Sequence, residues 1–336
     1  MKPHVRLLIA FLAVSTSVFG QDQVKDILKG SKEDINYLAN GYLTGTLKAW
    51  GNGINQGWYN TAKPHKVLGF DLTVVGSMVN IPSVEQTFAV DNTQLKSLEL
   101  LNSAGTPANG SVPTFAGSDG ATAPQYRFKG TTSKFSGPSG VTGGSVAVPM
   151  AQIGIGLPKG FELKLRYMPE TDLKSYVSSL NNKTVVSLFG IGIMHDIKQY
   201  IPVISQLPFD LSAFVGYTKY NLDVNLDNSK PNNKTLYEGS ATTIQGLISK
   251  KFAIVTFYGS IGYNFATTSA AIKGTYDAGT PLLPVSVTDP VNVSVSTSGP
   301  RATAGMRLKL LIFTFHADYT LQDYSAITGG VGISVR

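Results

Sequence analysis

His316 and Asp318 stand two residues apart on one alternating segment, so imidazole and carboxylate share a face, an arrangement that general-base catalysis uses. No Ser nucleophile is tied to them by spacing and no G-x-S-x-G motif occurs, so the pair reads as polar lining and not as a catalytic centre. The chain contains no Cys, which excludes disulfides, thiolate metal sites and cysteine nucleophiles. Past the first twenty residues only His65, His195 and His316 remain, none within ligand spacing of another, so no metal or other cofactor is expected. Gly51 to Gly57 misses the dinucleotide fingerprint by spacing and does not follow a strand in a βαβ unit. The N-x-[ST] matches at Asn109, Asn182, Asn233 and Asn292 fall in expected loops and read as chance.

Two further groups bear on function. Glu162, Lys164, Arg166, Asp210, Arg307, Lys309, His316 and Asp318 lie on the polar faces of alternating segments, where inward charges would line an aqueous path or fill a lumen with mutual ion pairs. For about ten strands filling is the favoured alternative, since about eight strands are just filled by side chains and about 16 leave a pore. Between Gly41 and Lys66 lie both tryptophans, and Trp50, Asn55, Trp58 and Tyr59 sit among glycines. They are candidates for a lumenal plug touching a small hydrophobic ligand, or, alternatively, for anchors at a membrane interface.

Those side chains need a frame. Of 336 residues, 42% are hydrophobic and only 15% charged, against roughly 25% charged in an average soluble domain. Lys2 and Arg6 precede the apolar stretch Leu7 to Val18, which suits a signal peptide cleaved after Gly20 and is too short to span a bilayer. Its removal lowers the formal charge from +7 to +5, too modest a balance to imply nucleic acid. Val24, Ile27, Leu28, Ile35 and Leu38 then recur at helical spacing up to about Leu43.

After Lys66 the period is two. Phe161, Leu163, Leu165 and Tyr167 alternate with Glu162, Lys164 and Arg166, which puts apolar groups on one face and charges on the other. The same design recurs near 151–157, 211–218, 255–265, 313–322 and 327–336, with weaker strands at 68–81, 184–197, 241–249 and 303–310. The count is about ten, rising to 12 or 14 if Ser97 to Asn102 or Gln125 to Lys129 join. Connections alternate in length: Pro82 to Gly144, Pro169 to Lys183, Asn221 to Gly239 and Thr267 to Arg301 are long, whereas Pro158 to Gly160, Lys250 to Lys251 and Leu311 to Ile312 are short and Lys198 to Gln206 is medium.

Alternation alone also fits a soluble sandwich. Low charge, strands of about ten residues that rise roughly 24 Å when tilted about 45°, and short turns at one end with long loops at the other together favour an all-β, transmembrane antiparallel barrel. Closure follows because an open edge in hydrocarbon leaves backbone groups unpaired at several kcal/mol each.

The segments Ala49-Trp50-Gly51-Asn52-Gly53, Gly57-Trp58-Tyr59-Asn60-Thr61-Ala62-Lys63-Pro64, Gly69-Phe70-Asp71-Leu72 and Leu157-Pro158-Lys159-Gly160 through Arg166-Tyr167 resemble an uncharacterised family of Gram-negative outer-membrane barrel proteins, over about Tyr37 to Arg336. More distantly, a Gly- and Asn-rich segment ahead of a barrel is similar to the long-chain fatty-acid transporter porins, which implies a lumenal hatch. The expected organisation is a signal peptide (1–20), a helical and plug-like segment (21–66) and an outer-membrane barrel (67–336). The expected partners are outer-membrane lipid, the outer-membrane assembly machinery and a small hydrophobic ligand. The expected function is passive transport of such a molecule without enzymatic activity. A non-conducting surface or assembly barrel that binds a partner through its long loops is the rival, and an outer-membrane hydrolase comes third.

Overall fold

The structure is a computed structural model that describes residues 26–175, 182–202, 206–226, 230–277 and 286–335. The expected signal peptide lies outside them. Ten strands close into one antiparallel barrel: β1 (Phe70–Asn80), β2 (Ser145–Leu157), β3 (Phe161–Asp172), β4 (Thr184–Asp196), β5 (Asp210–Asn225), β6 (Lys234–Phe252), β7 (Val255–Lys273), β8 (Val291–Leu310), β9 (Phe313–Leu321) and β10 (Ala326–Val335). Every strand pairs with its neighbours in sequence, and β1 seals the ring by pairing with β2 on one side and with β10 on the other, from Phe70↔Val335 to Val79↔Ala326. No barrel strand is left without a second partner.

The two faces invert the soluble pattern. Phe257, Ile261, Tyr263 and Phe265 on β7, Phe313, Phe315 and Tyr319 on β9, and Phe189, Ile191 and Ile193 on β4 all stand exposed on the outside, Ile261 at 73%. Thr256, Ser260, Asn264, Thr314, His316, Asp318 and Thr320 are buried inside. An apolar outer belt around a polar interior is stable in hydrocarbon and unfavourable in water, which makes this a transmembrane barrel. On β4, whose sequence is apolar on both faces, Met194 is buried in the interior while Ile193 beside it is 49% exposed.

The long connections differ from expectation. β5 runs to Asn225 and β6 starts at Lys234, while β7 runs to Lys273 and β8 starts at Val291, so most of Asn221 to Gly239 and Thr267 to Arg301 is strand. Their patterning misled because it reverses phase above the belt. On β8, Met306 and Leu310 face out, but higher up Asn292, Ser294, Ser296 and Ser298 face out and Val291 and Val293 are buried. Ser97 to Asn102 and Gln125 to Lys129 do contain strands, Leu98–Leu101 and Gln125–Phe128. They pair with each other and with Lys134–Ser136 in a separate sheet, and the barrel stays at ten.

The helix α1 (Lys32–Gly53) lies in the upper lumen and packs on β8, β7, β2, β1 and β6. Ser31 caps it by accepting from the Asp34 N–H. It ends ten residues beyond the expected Leu43. Gly51 and Gly53 would stop a free helix, since glycine costs about 1 kcal/mol there against alanine. In the lumen they are needed: a Cβ on Gly51 would lie 2.8 Å from Ala266 Cβ, and one on Gly53 2.5 Å from Val148 Cγ2. Packing against the wall outweighs propensity.

Candidate functional site

Below α1 the chain continues through the lumen to the short-turn end, where it becomes β1. The turn after the helix is held from opposite walls. Arg166 on β3 donates to the carbonyl oxygens of Ile54 (2.9 Å) and Gln56 (2.6 Å) and to Gln152 Oε1 (3.1 Å). Arg301 on β8 donates to Asn55 O (3.2 Å) and to Gln56 Oε1 (2.7 Å). Both guanidinium groups are buried, and no described carboxylate pairs with either. Their backbone acceptors are the carbonyl oxygens of the turn that leaves α1, and the last turn of α1 carries no basic residue of its own. Carbonyl groups at a helix C-terminus carry partial negative charge and accept from cations.

Trp58 lies just below. The Arg166 guanidinium carbon is 3.6 Å from its ring centroid, and Phe214 packs at 5.5 Å. The wall is cut to fit the indole. Gly192 and Gly216 face each other in register across β4 and β5, and a Cβ on either would lie 3.0 or 2.9 Å from the Trp58 ring. Tyr59 donates to Gln245 and shares a 2.6 Å bond with Ser260 Oγ, and Asn55 Nδ2 donates to Thr242 O at 3.1 Å. Trp50, higher on α1, stacks on Tyr220 with centroids 5.2 Å apart. All four plug candidates therefore sit in the lumen, and the interface-anchor alternative does not describe them.

At the short-turn end, Lys164 Nζ lies 2.5 Å from Glu162 Oε1 and 3.5 Å from Asp71 Oδ2, with His65 Nε2 2.9 Å from Asp71 Oδ2. The His65 N–H donates to Glu162 Oε2 at 2.8 Å. His65, Asp71 and Glu162 bring donor atoms within 4.8 Å of one another, a metal-like grouping that sequence spacing missed. The Lys164 ammonium already supplies positive charge between the carboxylates.

Of the expected lumenal residues, Glu162, Lys164, Arg166, Arg307, His316 and Asp318 are buried in the interior. Asp210 and Lys309 are partly open near the short-turn end, Asp210 3.9 Å from Lys63 Nζ and Lys309 donating to Ser334 Oγ. His316 and Asp318 share a face without bonding to each other: Asp318 accepts from Tyr258, and neither ring nitrogen of His316 has a hydrogen-bond partner among the described residues. Sequence reasoning missed Arg301, placed in a loop, and Gln56, Gln152 and Asp71. Arg301 alternates with Thr303 toward Arg307, and that spacing could have found it.

At the long-loop end, Asp34 accepts from the backbone N–H groups of Lys96 (2.5 Å), Ser97 (2.7 Å) and Leu98 (2.8 Å) and from the Ser97 hydroxyl. This residue stands above the apolar belt. Burial pushes its carboxyl up, but these four donors outweigh burial and hold it below the ordinary carboxylate value. Farther along α1, Lys48 joins Pro82, Val84, Glu85, Ser296, Ser298, Asp323 and Tyr324 in lining a cleft of ≈ 480 Å³.

Among solved structures, the fold is similar to Ail, the attachment invasion locus protein of Yersinia pestis, at 9% identity, 80% of this chain and 97% of that one, with a TM-score of 0.27. It is also similar to the translocator domain of autotransporter NalP from Neisseria meningitidis (12%, 89% and 97%, TM-score 0.30) and to the Pseudomonas putida toluene transporter TodX (8%, 79% and 89%, TM-score 0.24). No curated protein matches the sequence. A family model does match, from residue 1 to residue 335, and the chain belongs to that family of unknown function, DUF6588.

Proposed function

We propose that this protein is an outer-membrane barrel whose resting state is sealed, and that it works at the cell surface by holding a cap, the β1–β2 connection with its sheet of Leu98–Leu101, Gln125–Phe128 and Lys134–Ser136, for a partner rather than by passing solutes. The observation that carries the reading is the double arginine clamp on Ile54 to Gln56, which fastens a continuous polypeptide across the lumen. The cap is tied to the same polypeptide through Asp34, and the cleft beside Glu85 and Tyr324 gives it polar groups for recognition. Outer-membrane lipid around the apolar belt and the membrane's assembly machinery are the partners implied by this placement. This reading assigns no catalytic step to His316 and Asp318, whose carboxylate accepts from Tyr258. Lipid hydrolysis, if assayed, should be indifferent to His316→Ala.

A second reading, gated passage of a small apolar molecule past Trp50, Trp58 and Tyr59, is favoured by one observation. Asn55 Oδ1 and Trp58 Nε1 are buried without hydrogen-bond partners among the described residues, and such unsatisfied groups can mark a segment that has another arrangement. Planar-bilayer recording of the full chain separates the readings. Silence under voltage and with apolar solutes added supports the sealed barrel; steady openings, or openings evoked by a solute, would replace it with transport.

A further inference from the structure

We infer that the barrel carries its own N-terminal side outward, so that residues 26–31, just ahead of α1, lie at the cell surface. The inference rests on the outer-membrane placement proposed above and deepens it.

The direction of the lumenal chain is fixed by contacts at three heights. At the top, the Ser31 N–H donates to Ser97 Oγ at 2.7 Å, Asn36 Nδ2 donates to Pro290 O at 3.0 Å, and the Asn292 N–H donates to Asn36 Oδ1 at 3.0 Å. Ser97 lies within the β1–β2 connection, and Pro290 and Asn292 lie where the β7–β8 connection enters β8, so all belong to the long-loop end. Halfway down, Thr268 Oγ1 donates to Leu47 O at 2.8 Å, and the two arginines hold the turn below Gly53. At the bottom, Ser212 Oγ donates to Ala62 O at 2.6 Å, and the Leu68 N–H donates to Gly156 O at 3.1 Å. Gly156 adjoins the short Pro158–Gly160 turn, and Ser212, at the start of β5, lies at the same end of the barrel. The 22 residues of α1 alone cover about 33 Å.

Short turns of outer-membrane barrels face the periplasm and long loops the exterior. The chain therefore crosses from outside to periplasm before β1 starts back up. Ile27 and Leu28 are buried beneath the cap, while Lys29 is exposed at the outer end. Because exported chains arrive in the periplasm, the segment ahead of β1 must have entered the ring before or as β1 met β10. Its outer end is thus displayed by assembly and needs no separate export step.

The absence of Cys makes the test direct, because a single introduced thiol is the only one present. Lys29→Cys and Lys63→Cys place thiols on exposed positions at opposite ends of the lumenal chain. Heat-modifiable gel mobility first verifies that each variant is folded, and intact cells then receive a membrane-impermeant maleimide. The expected result is a mass shift on K29C in intact cells and on K63C only after the outer membrane is permeabilised. A folded K29C protein that reacts only after permeabilisation, or only after unfolding, overturns the inference. If K29C and K63C both react in intact cells while a periplasmic control thiol does not, the sealed-lumen reading fails; K29C reacting faster than K63C then keeps the threading and the reverse order overturns it, so the two are separately exposed to refutation.

Discussion

Arg166 and Arg301 reach Gln56 from opposite walls, Arg166 through its carbonyl oxygen at 2.6 Å and Arg301 through its side-chain Oε1 at 2.7 Å. One plug residue thus bridges β3 and β8 across the lumen. Hydrogen bonds to a charged group contribute roughly 1.5–3 kcal/mol each, so the clamp outweighs thermal agitation several-fold. Arg166→Ala with Arg301→Ala should keep the barrel folded by heat-modifiable mobility but produce transient openings in planar bilayers. Persistent silence would mean that the remaining contacts suffice and that the arginines are not the fastening.

Gly216 gives a second handle. A valine there must displace Trp58 or Phe214, both 2.9 Å from the added Cβ, and overpacking of this kind costs about 1–3 kcal/mol. In a Trp50→Phe background, where Trp58 is the only tryptophan, Gly216→Val should shift indole emission to the red as the ring leaves its slot. An unchanged spectrum would show that the wall yields instead.

The outer belt predicts a medium-dependent cost. Ile261→Arg, in the middle of β7's apolar row, should destabilise the barrel in phospholipid vesicles by about 2–4 kcal/mol in equilibrium denaturant unfolding. The same change at a water-facing residue of the upper wall, Ser296→Arg, should fall within about 0.5 kcal/mol. Equal costs at the two sites would contradict lipid contact at Ile261.

Asp34 makes the cap sensitive to acid in one direction only. Its folded carboxyl is held below the unfolded value of about 3.9, so its contribution is complete above that pH and disappears as pH falls through the lower folded value. Resistance of the β1–β2 connection to protease should be flat from neutral pH to about 5 and drop below about 4. Asp34→Asn should weaken it at neutral pH and flatten the acid response. A drop near pH 6 would assign the sensitivity to another group.

Much of this architecture can be read from patterning where water and lipid impose opposite demands on the two faces of one strand. Phe161 to Tyr167 and Phe313 to Leu321 alternate cleanly because one side meets hydrocarbon and the other a polar lumen. The pattern fades where both sides change medium together: Ser294 and Ser296 meet water while Val293 meets α1, so β8 looks like loop above Arg301. Within the lumen, residue types were legible and partners were not. Lys164 and Arg166 are both inward cations two residues apart, yet one joins Asp71 and Glu162 and the other the end of α1. Glu162 is a local partner, two residues before Lys164 on the same face, but Asp71 and the Ile54 to Gln56 turn come from about a hundred residues earlier, beyond the reach of strand patterning.

The unequal strands have a structural corollary. β6, β7 and β8 have 19, 19 and 20 residues, while β9 and β10 have 9 and 10. One flank of the cylinder rises as a parapet, and its inner surface is the backrest for the first turns of α1. Parapet height and helix length therefore form a single dimension: a shorter flank would strand Ile35 and Leu38 in water, and a shorter helix would do the same to Val291 and Val293.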